Sequence, residues 1–420
     1  MKTNQHLTIN NLGPIKNCDI DLSKMMVLDG PQASGKSTVA KTIFFFRTIK
    51  NELVDSLIRQ YADPVIISEL RYRLKRNFLQ LFGDDIDENM FVIYDYGYGV
   101  SIEISGKSIE VKLSDTINKK ICSQLARFYD VNIADRDRIE IKKEVSIIFN
   151  DNKEIAYIPA GRSMLSILSE SLSHIFFNFD DEQKNMIDYC TRDYINRITK
   201  IKPLFSNLDK ITRDNSNDKL NPELLSLVQE NIYKILQGKY RYINGEEYLE
   251  LFNSNDKKNI KIKFTSSGQQ EVLWILNLIY YSMIKQQPTC FIIEEPEAHL
   301  YPDSQKDIAE YIALAVSQDN DCIITTHSPY ILGALSNLLD ARRMVDEGYN
   351  ITSVLERENL TSLHLLNKSD FSAYFIENGQ VTDAMDKENG LIRNELIDGA
   401  SDAINGFADD LMYIEREGKK

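Results

Sequence analysis

Residues 30–37 read Gly-Pro-Gln-Ala-Ser-Gly-Lys-Ser, and the fold class is predicted from this segment. It follows an apolar run from Met25 to Leu28 and precedes a helical pattern of apolar residues from Val39 to Ile58. A strand, a glycine-rich turn and a helix in this order match the GxxxxGK[ST] motif in the context that the motif requires. Glycines let consecutive backbone N–H groups curl around an anion, and the positive end of the helix faces the same point. The pattern predicts a phosphate-binding loop.

Each residue type in the loop has an expected task. We expect Lys36 to reach the β- and γ-phosphates of a nucleotide, and the Ser37 hydroxyl to ligate Mg²⁺. Further residues expected to contact the nucleotide are Gly30, Gln32, Ser34, Gly35 and Thr38.

A second motif lies far downstream. Four apolar residues, Cys290 to Ile293, are followed by Glu294 and Glu295. A buried strand of this kind delivers its last residues to the carboxyl edge of the sheet, where ligands bind in open α/β folds. We expect Glu294 to orient Mg²⁺ and Glu295 to position or activate the attacking water. Taken alone, two acidic residues at a strand exit are also common in an acidic protein.

Two more segments become candidates once the phosphate loop is accepted. His327 follows a predicted strand and is expected at the same sheet edge, where an imidazole could contact the γ-phosphate. Ser267, Gly268 and Gln270 lie in Ser-Ser-Gly-Gln-Gln-Glu, residues 266–271, directly before an apolar helix. A helix N-terminus of this kind binds anions, although a plain helix cap is the simpler interpretation.

Composition limits the function classes. The 420 residues include 49 Lys and Arg against 63 Asp and Glu, a formal net charge of −14. This balance argues against a general basic surface for nucleic acid, since phosphate binding needs a local excess of cations, and any such surface would have to be a local patch. One local basic cluster stands on a predicted helix and is explained either as a solvated face or as a phosphate-contacting patch: Arg71, Arg73, Lys75 and Arg76.

The five cysteines form no CxxC pair, which fits a reducing compartment. The first ten residues lack the apolar core of a signal peptide, and the apolar run Val272–Ile284 is shorter than the roughly 20 residues that span a bilayer. We expect a cytoplasmic protein without a membrane partner.

The chain divides into three expected parts. Residues 1–160 carry the phosphate loop and short strands, including predicted strands at Val145–Phe149 and Ile155–Ile158. Residues 161–262 are mostly helical and polar in pattern, and we expect an inserted helical lobe. Residues 263–420 alternate helix and strand, which predicts parallel strands with helices on both faces. The predicted class is α/β, a mostly parallel sheet with an antiparallel β subdomain and a helical insertion.

The order GPQASGKS, SSGQQE, FIIEEPEAHLYP and ITTHSPYIL resembles the ABC-type ATPase head of the OLD and SMC/RecF-like proteins. The FIIEEPEAHLYP block is similar to OLD-family nucleases and to ATPase subunits of antiphage systems such as Septu and PARIS. The resemblance implies ATP with Mg²⁺ as ligands and a homo-oligomer that sandwiches ATP. Ser267 and Gly268 of one protomer would complete the γ-phosphate shell at Lys36 and Ser37 of the other. His327 would be the switch histidine. Residues 266–271 would be the signature segment of the family, in which Gln269 replaces the usual second glycine.

The resemblance also places the segment Tyr157–Ser163 between the lobes. About ninety residues follow His327, with one predicted helix, a predicted hairpin at Glu377-Asn378-Gly379 and an acidic helical end. We find no pattern there for the TOPRIM domain of OLD nucleases, so we expect any nuclease effector to be a separate polypeptide.

Three hypotheses remain at this point. The first is an ATP-hydrolysing switch or sensor subunit of a bacterial defence system. The second is a RecF/SMC-like DNA-repair ATPase that clamps DNA in an ATP-dependent way, with nucleic acid as a possible partner. The third, the ATPase subunit of a membrane transporter, fits least, because such subunits are usually shorter and carry a more glycine-rich signature.

Overall fold

The computed structural model describes residues 5–58, 65–128, 137–169, 188–207, 222–253, 256–397 and 399. Its strands are β1 (His6–Leu12), β2 (Ile15–Asp21), β3 (Met25–Asp29), β4 (Phe91–Asp95), β5 (Ser101–Ser105), β6 (Glu110–Leu113), β7 (Glu154–Ile158), β8 (Lys239–Ile243), β9 (Glu246–Asn253), β10 (Asp256–Lys261), β11 (Thr289–Glu294), β12 (Asp321–Thr326), β13 (Phe371–Glu377) and β14 (Gln380–Asp383). Its helices include α1 (Lys36–Ile58), α2 (Val65–Phe82), α3 (Asp115–Gln124), α4 (Arg138–Ile148), α5 (Tyr189–Ile201), α6 (Pro222–Leu236), α7 (Ser267–Lys285), α8 (Pro302–Ser317), α9 (Pro329–Asp346) and α10 (Thr352–Glu358).

One sheet of eleven strands organises the chain, in the order β6-β5-β4-β1-β2-β14-β13-β3-β12-β11-β7. The five strands from β13 to β7 are mutually parallel. The five strands from β6 to β2 pair in antiparallel fashion. The predicted α/β class, with a parallel sheet and an antiparallel β part, is confirmed.

The parallel strands carry the apolar runs that the sequence shows. Every residue of β3, β11 and β12 is buried, as expected for strands with helices on both faces. Side chains alternate between two core layers. Met26 and Leu28 pack in the layer that contains α1, while Met25 and Val27 pack in the layer that contains α7, α8 and α9. This arrangement fixes the carboxyl ends of β3, β11 and β12 side by side.

The predicted strand at Val145–Phe149 is wrong, because these residues belong to the end of α4 and its cap. Ile141, Val145 and Ile148 are buried at helical spacing. Asp137 caps the helix by accepting a hydrogen bond from the backbone N–H of Ile139 at 2.8 Å. A short apolar run can serve either structure, and here the upstream cap and the three-to-four-residue spacing favour the helix.

The segment expected to form a helical lobe also contains strands. β8, β9 and β10 form a separate three-stranded antiparallel sheet. The turn between β8 and β9 is Asn244-Gly245, and both residues have positive φ, 52° and 81°. Asn-Gly between two strands is a strong hairpin signal, so the sequence carried this information. The predicted loop at residues 214–218 lies outside the described residues.

The predicted hairpin at Glu377-Asn378-Gly379 is confirmed as the turn between β13 and β14. It lies in the middle of the large sheet, between β2 and β3. The backbone N–H groups of Lys16 and Asn17 donate to the Gly379 carbonyl at 2.8 and 3.0 Å. The expected acidic helical end after residue 400 lies outside the described residues. Within the described ranges, no helix is long and apolar enough to cross a membrane.

Candidate nucleotide site

The phosphate loop connects β3 to α1. Gly30 has φ of +146°, and a Cβ there would lie 2.2 Å from the Ile376 carbonyl oxygen. Gly35 has φ of +110°, and a Cβ there would lie 2.5 Å from Ile15 Cδ1. Both positions therefore require glycine, for conformation and for space. The loop is pressed between the β1–β2 turn and the C-terminal hairpin, which fixes its curvature.

Lys36 is buried at the start of α1, with 7% of its surface exposed. Its Nζ donates hydrogen bonds to the carbonyls of Gly30 and Pro31 at 2.6 and 2.8 Å. The ammonium group therefore lies beside the first two residues of the phosphate loop. Burial lowers the pKa of Lys36, and the nearby carboxylates of Asp29 and Glu295 oppose that shift.

The strand register brings the predicted residues to one edge. Thr326 of β12 is paired with Asp29 at the end of β3, and Glu294 of β11 is paired with Thr325. Glu295 and His327 follow these two strands directly. Because the carboxyl ends of neighbouring parallel strands share an edge, the acidic pair and the histidine lie beside the phosphate loop.

Glu294 is buried, and only part of its carboxylate is used. Its Oε2 accepts a hydrogen bond from the backbone N–H of Ala160 at 3.1 Å. Within the described part of the chain, its Oε1 is buried without a hydrogen-bond partner, as is the Ser34 hydroxyl in the loop. An unpartnered buried carboxylate oxygen is costly unless a cation or donor meets it. Glu294 and the exposed Ser37 hydroxyl are oxygen ligands of the type that Mg²⁺ prefers, so the donor set fits that ion.

Protein side chains do not form a complete metal cage at this edge. Within the described residues, no group of three or more His, Cys, Asp or Glu side chains is arranged to hold a metal ion. Mg²⁺ typically keeps several waters and takes one or two carboxylates together with phosphate oxygens.

Glu295 has an uncommon backbone conformation, with φ of +43°. Its N–H donates to the Thr325 carbonyl at 2.9 Å, which holds the residue at the strand exit. Its carboxylate is 38% exposed and lies 4.0 Å from Nδ1 of His327, which is 55% exposed. The two side chains predicted to act on the γ-phosphate side therefore face the same open space.

Sequence reasoning gave no role to Glu297, which the structure places at the centre of this edge. Its Oε1 accepts hydrogen bonds from Thr326 Oγ1 at 2.7 Å and from the His327 backbone N–H at 3.0 Å. The same oxygen lies 3.6 Å from His327 Nδ1. Asp29 has a raised pKa, first because of burial and also because of the Glu297 charge. Glu297 thus fixes the backbone of His327 at the end of β12.

Ser267 and Gly268 lie at the N-terminus of α7, in the core layer opposite to α1. Ser266 caps the helix and exchanges hydrogen bonds with Gln269 in a capping box. A Cβ on Gly268 would lie 2.7 Å from the His299 carbonyl oxygen. The Gln270 side chain donates to the carbonyls of Ile262 and Thr265, and Ser267 is exposed.

Arg162, within the segment expected to link the lobes, is fully buried. Its guanidinium donates to the carbonyls of Glu271, Pro159, Glu294 and Glu295 at distances from 2.7 to 3.0 Å. Burial lowers the pKa of Arg162, and the Glu271 carboxylate opposes that shift. One side chain thus joins the first turns of α7 to the end of β11. Its acceptors lie more than 100 residues downstream in three of four cases, so no local pattern reveals them.

Comparison with protein families identifies the region that contains these motifs. A family model described as an AAA ATPase domain matches residues 1–332. The chain belongs to this family. All four sequence blocks quoted above lie inside the matched region, and the last of them, residues 324–332, ends with it. No curated protein matches the sequence.

Among solved structures, this AAA ATPase domain is similar to heads of SMC proteins. An Smc head with an extended coiled coil, bound to the C-terminal domain of ScpA from Pyrococcus furiosus, has 13% identity and a TM-score of 0.41, covering 90% of this chain and 94% of that chain. An SmcHead bound to the C-winged helix domain of ScpA has 13% identity and a TM-score of 0.39, covering 79% and 92%. The SMC head domain from Thermotoga maritima has 12% identity and a TM-score of 0.34, covering 80% and 92%.

Proposed function

We propose that this chain binds ATP with Mg²⁺ and hydrolyses it to ADP and phosphate. The observation that carries the proposal is the meeting of Lys36, Glu294, Glu295 and His327 at the carboxyl edge of β3, β11 and β12. Mg²⁺, when bound, neutralises charge on the phosphate oxygens. Ser37 and Glu294 are the residues that would hold it.

The other residues each have a task that follows from their position. Lys36 leaves the two loop carbonyls and binds the β- and γ-phosphates. Glu295 accepts a proton from the attacking water, since its carboxylate is partly exposed and faces the open edge. His327, held by Glu297 through its backbone, donates to the terminal phosphate.

We also propose a homodimer that encloses ATP, in which Ser267 and Gly268 of one protomer face the phosphate loop of the other. The surface beside these residues supports this. Phe264 precedes the signature and is 72% exposed, while Tyr301 and Met164 are 74% and 69% exposed. Exposed large apolar side chains such as these are typical of a surface that becomes buried on association.

For the biological role, we propose a switch or sensor subunit of a bacterial antiphage system that acts in the cytoplasm and controls a separately encoded effector such as a nuclease. The resemblance of residues 291–302 to such subunits supports this role. The competing role, an ATP-dependent DNA clamp, is supported by Arg71 and Arg76, which are exposed on α2. Arg73 is less available, because it pairs with Glu69 at 2.8 Å.

Phosphate release tests the enzymatic part. We expect Lys36→Ala to abolish nucleotide binding in calorimetry. Glu295→Gln should bind ATP but lose turnover by a factor of about 10²–10⁴, the usual contribution of a general base. Glu388→Gln, a change at an exposed position on a distant turn, is the matched control and should hydrolyse ATP at the wild-type rate. Normal hydrolysis by Glu295→Gln would refute the role of Glu295.

Plaque counts test the biological part. Cells that express the chain with its neighbouring genes should resist phage, and Lys36→Ala should remove the resistance. Retention of duplex DNA that requires ATP, is lost at high salt and weakens when Arg71 and Arg76 are neutralised would favour the DNA clamp instead.

A further inference from the structure

A cavity of about 320 Å³ lies away from the phosphate loop, between α6, β8, α7 and the short helical turn Lys202–Asn207. This volume falls in the lower part of the range of small-molecule sites, which is roughly 300–1,000 Å³. The residues that line it are largely aromatic and polar but uncharged: Phe205, Ser226, Gln229, Glu230, Ile232, Tyr233, Gly238, Lys239, Tyr240, Asn277 and Tyr280. Neither of its charged residues, Glu230 and Lys239, is buried.

Flat rings form one wall of the cavity. Phe205 and Tyr240 meet edge to face, with ring centres 5.3 Å apart. Trp274 packs behind both, at 6.0 Å from Phe205 and 5.7 Å from Tyr240. Such a cluster presents a rigid apolar surface, which favours a flat ring as the occupant.

The decisive feature is the Asn277 side chain, which is 2% exposed and lines the cavity. Its Nδ2 is buried without a hydrogen-bond partner among the residues that the structure describes. Asn320, which is 1% exposed, shows how this chain otherwise treats a buried asparagine. Its Oδ1 accepts from the Thr289 N–H and the Ser282 hydroxyl, and its Nδ2 donates to the Ala315 carbonyl, all at 3.0 Å.

Leaving a buried amide unpaired costs about 1–3 kcal/mol, and a leucine would fill the same volume without that cost. The Asn277 Nδ2 group donates no hydrogen bond to any described residue, so it does not stabilise the fold. A ligand group that pairs with the carboxamide explains why a polar side chain occupies this position.

We propose that this cavity binds a nucleobase, with the ring against Phe205 and Tyr240 and its polar edge hydrogen-bonded to the Asn277 carboxamide. A carboxamide offers a donor and an acceptor side by side, which matches the edge of a base. A lipid chain would leave the amide unpaired, and an anion would find no buried cation in the lining. The base can belong to a free nucleoside or to a nucleotide flipped out of a single strand.

The location links the cavity to the signature. Asn277 and Tyr280 lie on α7, the helix that begins at Ser267, and Gln229 of α6 donates to the Tyr280 hydroxyl at 2.6 Å. Gln269 donates to the carbonyl of Leu236 at the end of α6, at 2.7 Å. A base held between α6 and α7 therefore sets the orientation of the signature turn. This regulatory consequence rests on the proposed function, whereas binding itself does not.

Calorimetry on the full chain without ATP tests the binding. The probes are adenosine, guanosine, cytidine, uridine and a short single-stranded oligonucleotide of mixed sequence. We expect at least one probe to bind with a Kd of about 1 mM or tighter. Asn277→Leu should weaken that binding by about tenfold or more without lowering Tm, because the unpaired amide is removed. Asn231→Leu, on α6 but outside the lining, is the matched control and should bind as wild type.

Ser226→Trp supplies a second test, because it fills the cavity from an exposed position. It should also abolish binding. Binding of the oligonucleotide alone, lost in Asn277→Leu, would identify a strand as the source of the base. Failure of every probe, or binding that both variants retain, would overturn the inference. If the chain binds a nucleoside but does not hydrolyse ATP, the proposed function is refuted and the nucleobase site is supported. If it hydrolyses ATP but binds no probe in this cavity, the nucleobase site is refuted and the proposed function is supported.

Discussion

The backbone conformation of Glu295 determines where its carboxylate lies. A non-glycine residue with φ of +43° stores strain, of the order of 1–3 kcal/mol for such conformations. The hydrogen bond from its N–H to the Thr325 carbonyl holds it there. In this conformation its carboxylate lies 4.0 Å from Nδ1 of His327. The strain is therefore located where the proposed chemistry needs a fixed carboxylate.

Arg162 gives a prediction at the same scale. Arg162→Ala removes a donor from four backbone carbonyls, two of them at the end of β11. Unsatisfied buried groups cost about 1–3 kcal/mol each, so we expect the free energy of unfolding to fall by about 3 kcal/mol or more. Urea denaturation measures this change.

Arg342→Ala is the matched control, since Arg342 is partly exposed and pairs with Asp346 one helical turn away. We expect a change of about 0.5 kcal/mol or less. Equal losses in the two variants would contradict the role given to Arg162.

The residues found from the sequence and those missed differ in one physical respect. Lys36 and Ser37 belong to a contiguous motif whose geometry is local. Glu297 has partners 29 and 30 residues downstream, and most acceptors of Arg162 are more distant still. Such contacts exist only after the sheet has formed, so spacing along the chain cannot reveal them.

At the scale of elements, apolar runs predicted strands correctly where helices cover both faces of the strand. β3, β11 and β12 are buried throughout, and each contains an apolar run: Met25–Leu28, Cys290–Ile293 and Cys322–Ile324. The strand predicted at Val145–Phe149 is wrong because α4 buries only one face, and five residues do not reveal a helical period. The small sheet from β8 to β10 was not predicted, although the Asn-Gly turn between β8 and β9 is a hairpin signal in the sequence.

Helix α8 carries a pH-dependent contribution to stability. Glu310 is buried in α8, and burial raises its pKa from 4.5 to about 7, despite Lys306 at 3.7 Å and the charge of Lys234. The Asp307 charge acts in the same direction as burial. The folded state therefore holds this proton more tightly than the unfolded chain. The stabilisation is complete below pH 4.5 and is lost as the pH rises through 7.

We predict that Glu310→Gln is more stable than wild type at pH 8, by at most about 3 kcal/mol at 1.36 kcal/mol per pKa unit. The difference should shrink toward pH 5. Thermal unfolding at both pH values measures it, with the exposed Glu356→Gln as control. A gain in stability that is the same at both pH values would show that titration of Glu310 is not the cause.

At the scale of the molecule, the proposed dimer makes its own prediction. Phe264→Asp places a charge on the apolar surface beside Ser267, where burial of an unpaired charge is costly. In a Glu295→Gln background with ATP, we expect the dimer dissociation constant to rise by about tenfold or more. Light scattering coupled to size-exclusion chromatography measures the species present.

Tyr349→Asp is the control, because Tyr349 is 59% exposed after α9 and lies outside the signature segment. It should dimerise as the Glu295→Gln parent does. A dimer that Phe264→Asp leaves intact would show that this surface is not between the protomers.

The position of the β13–β14 hairpin has a consequence for synthesis. Its two strands lie between β2 and β3 in the middle of the sheet, yet residues 371–383 are translated after all the other strands that the structure describes. On the ribosome, a nascent chain that has already made β1–β12 still has two open edges, at β2 and at β3. Such edges are templates for pairing with other chains. Completion of the sheet must therefore await synthesis of the hairpin, and until then both edges remain open to pairing with other chains.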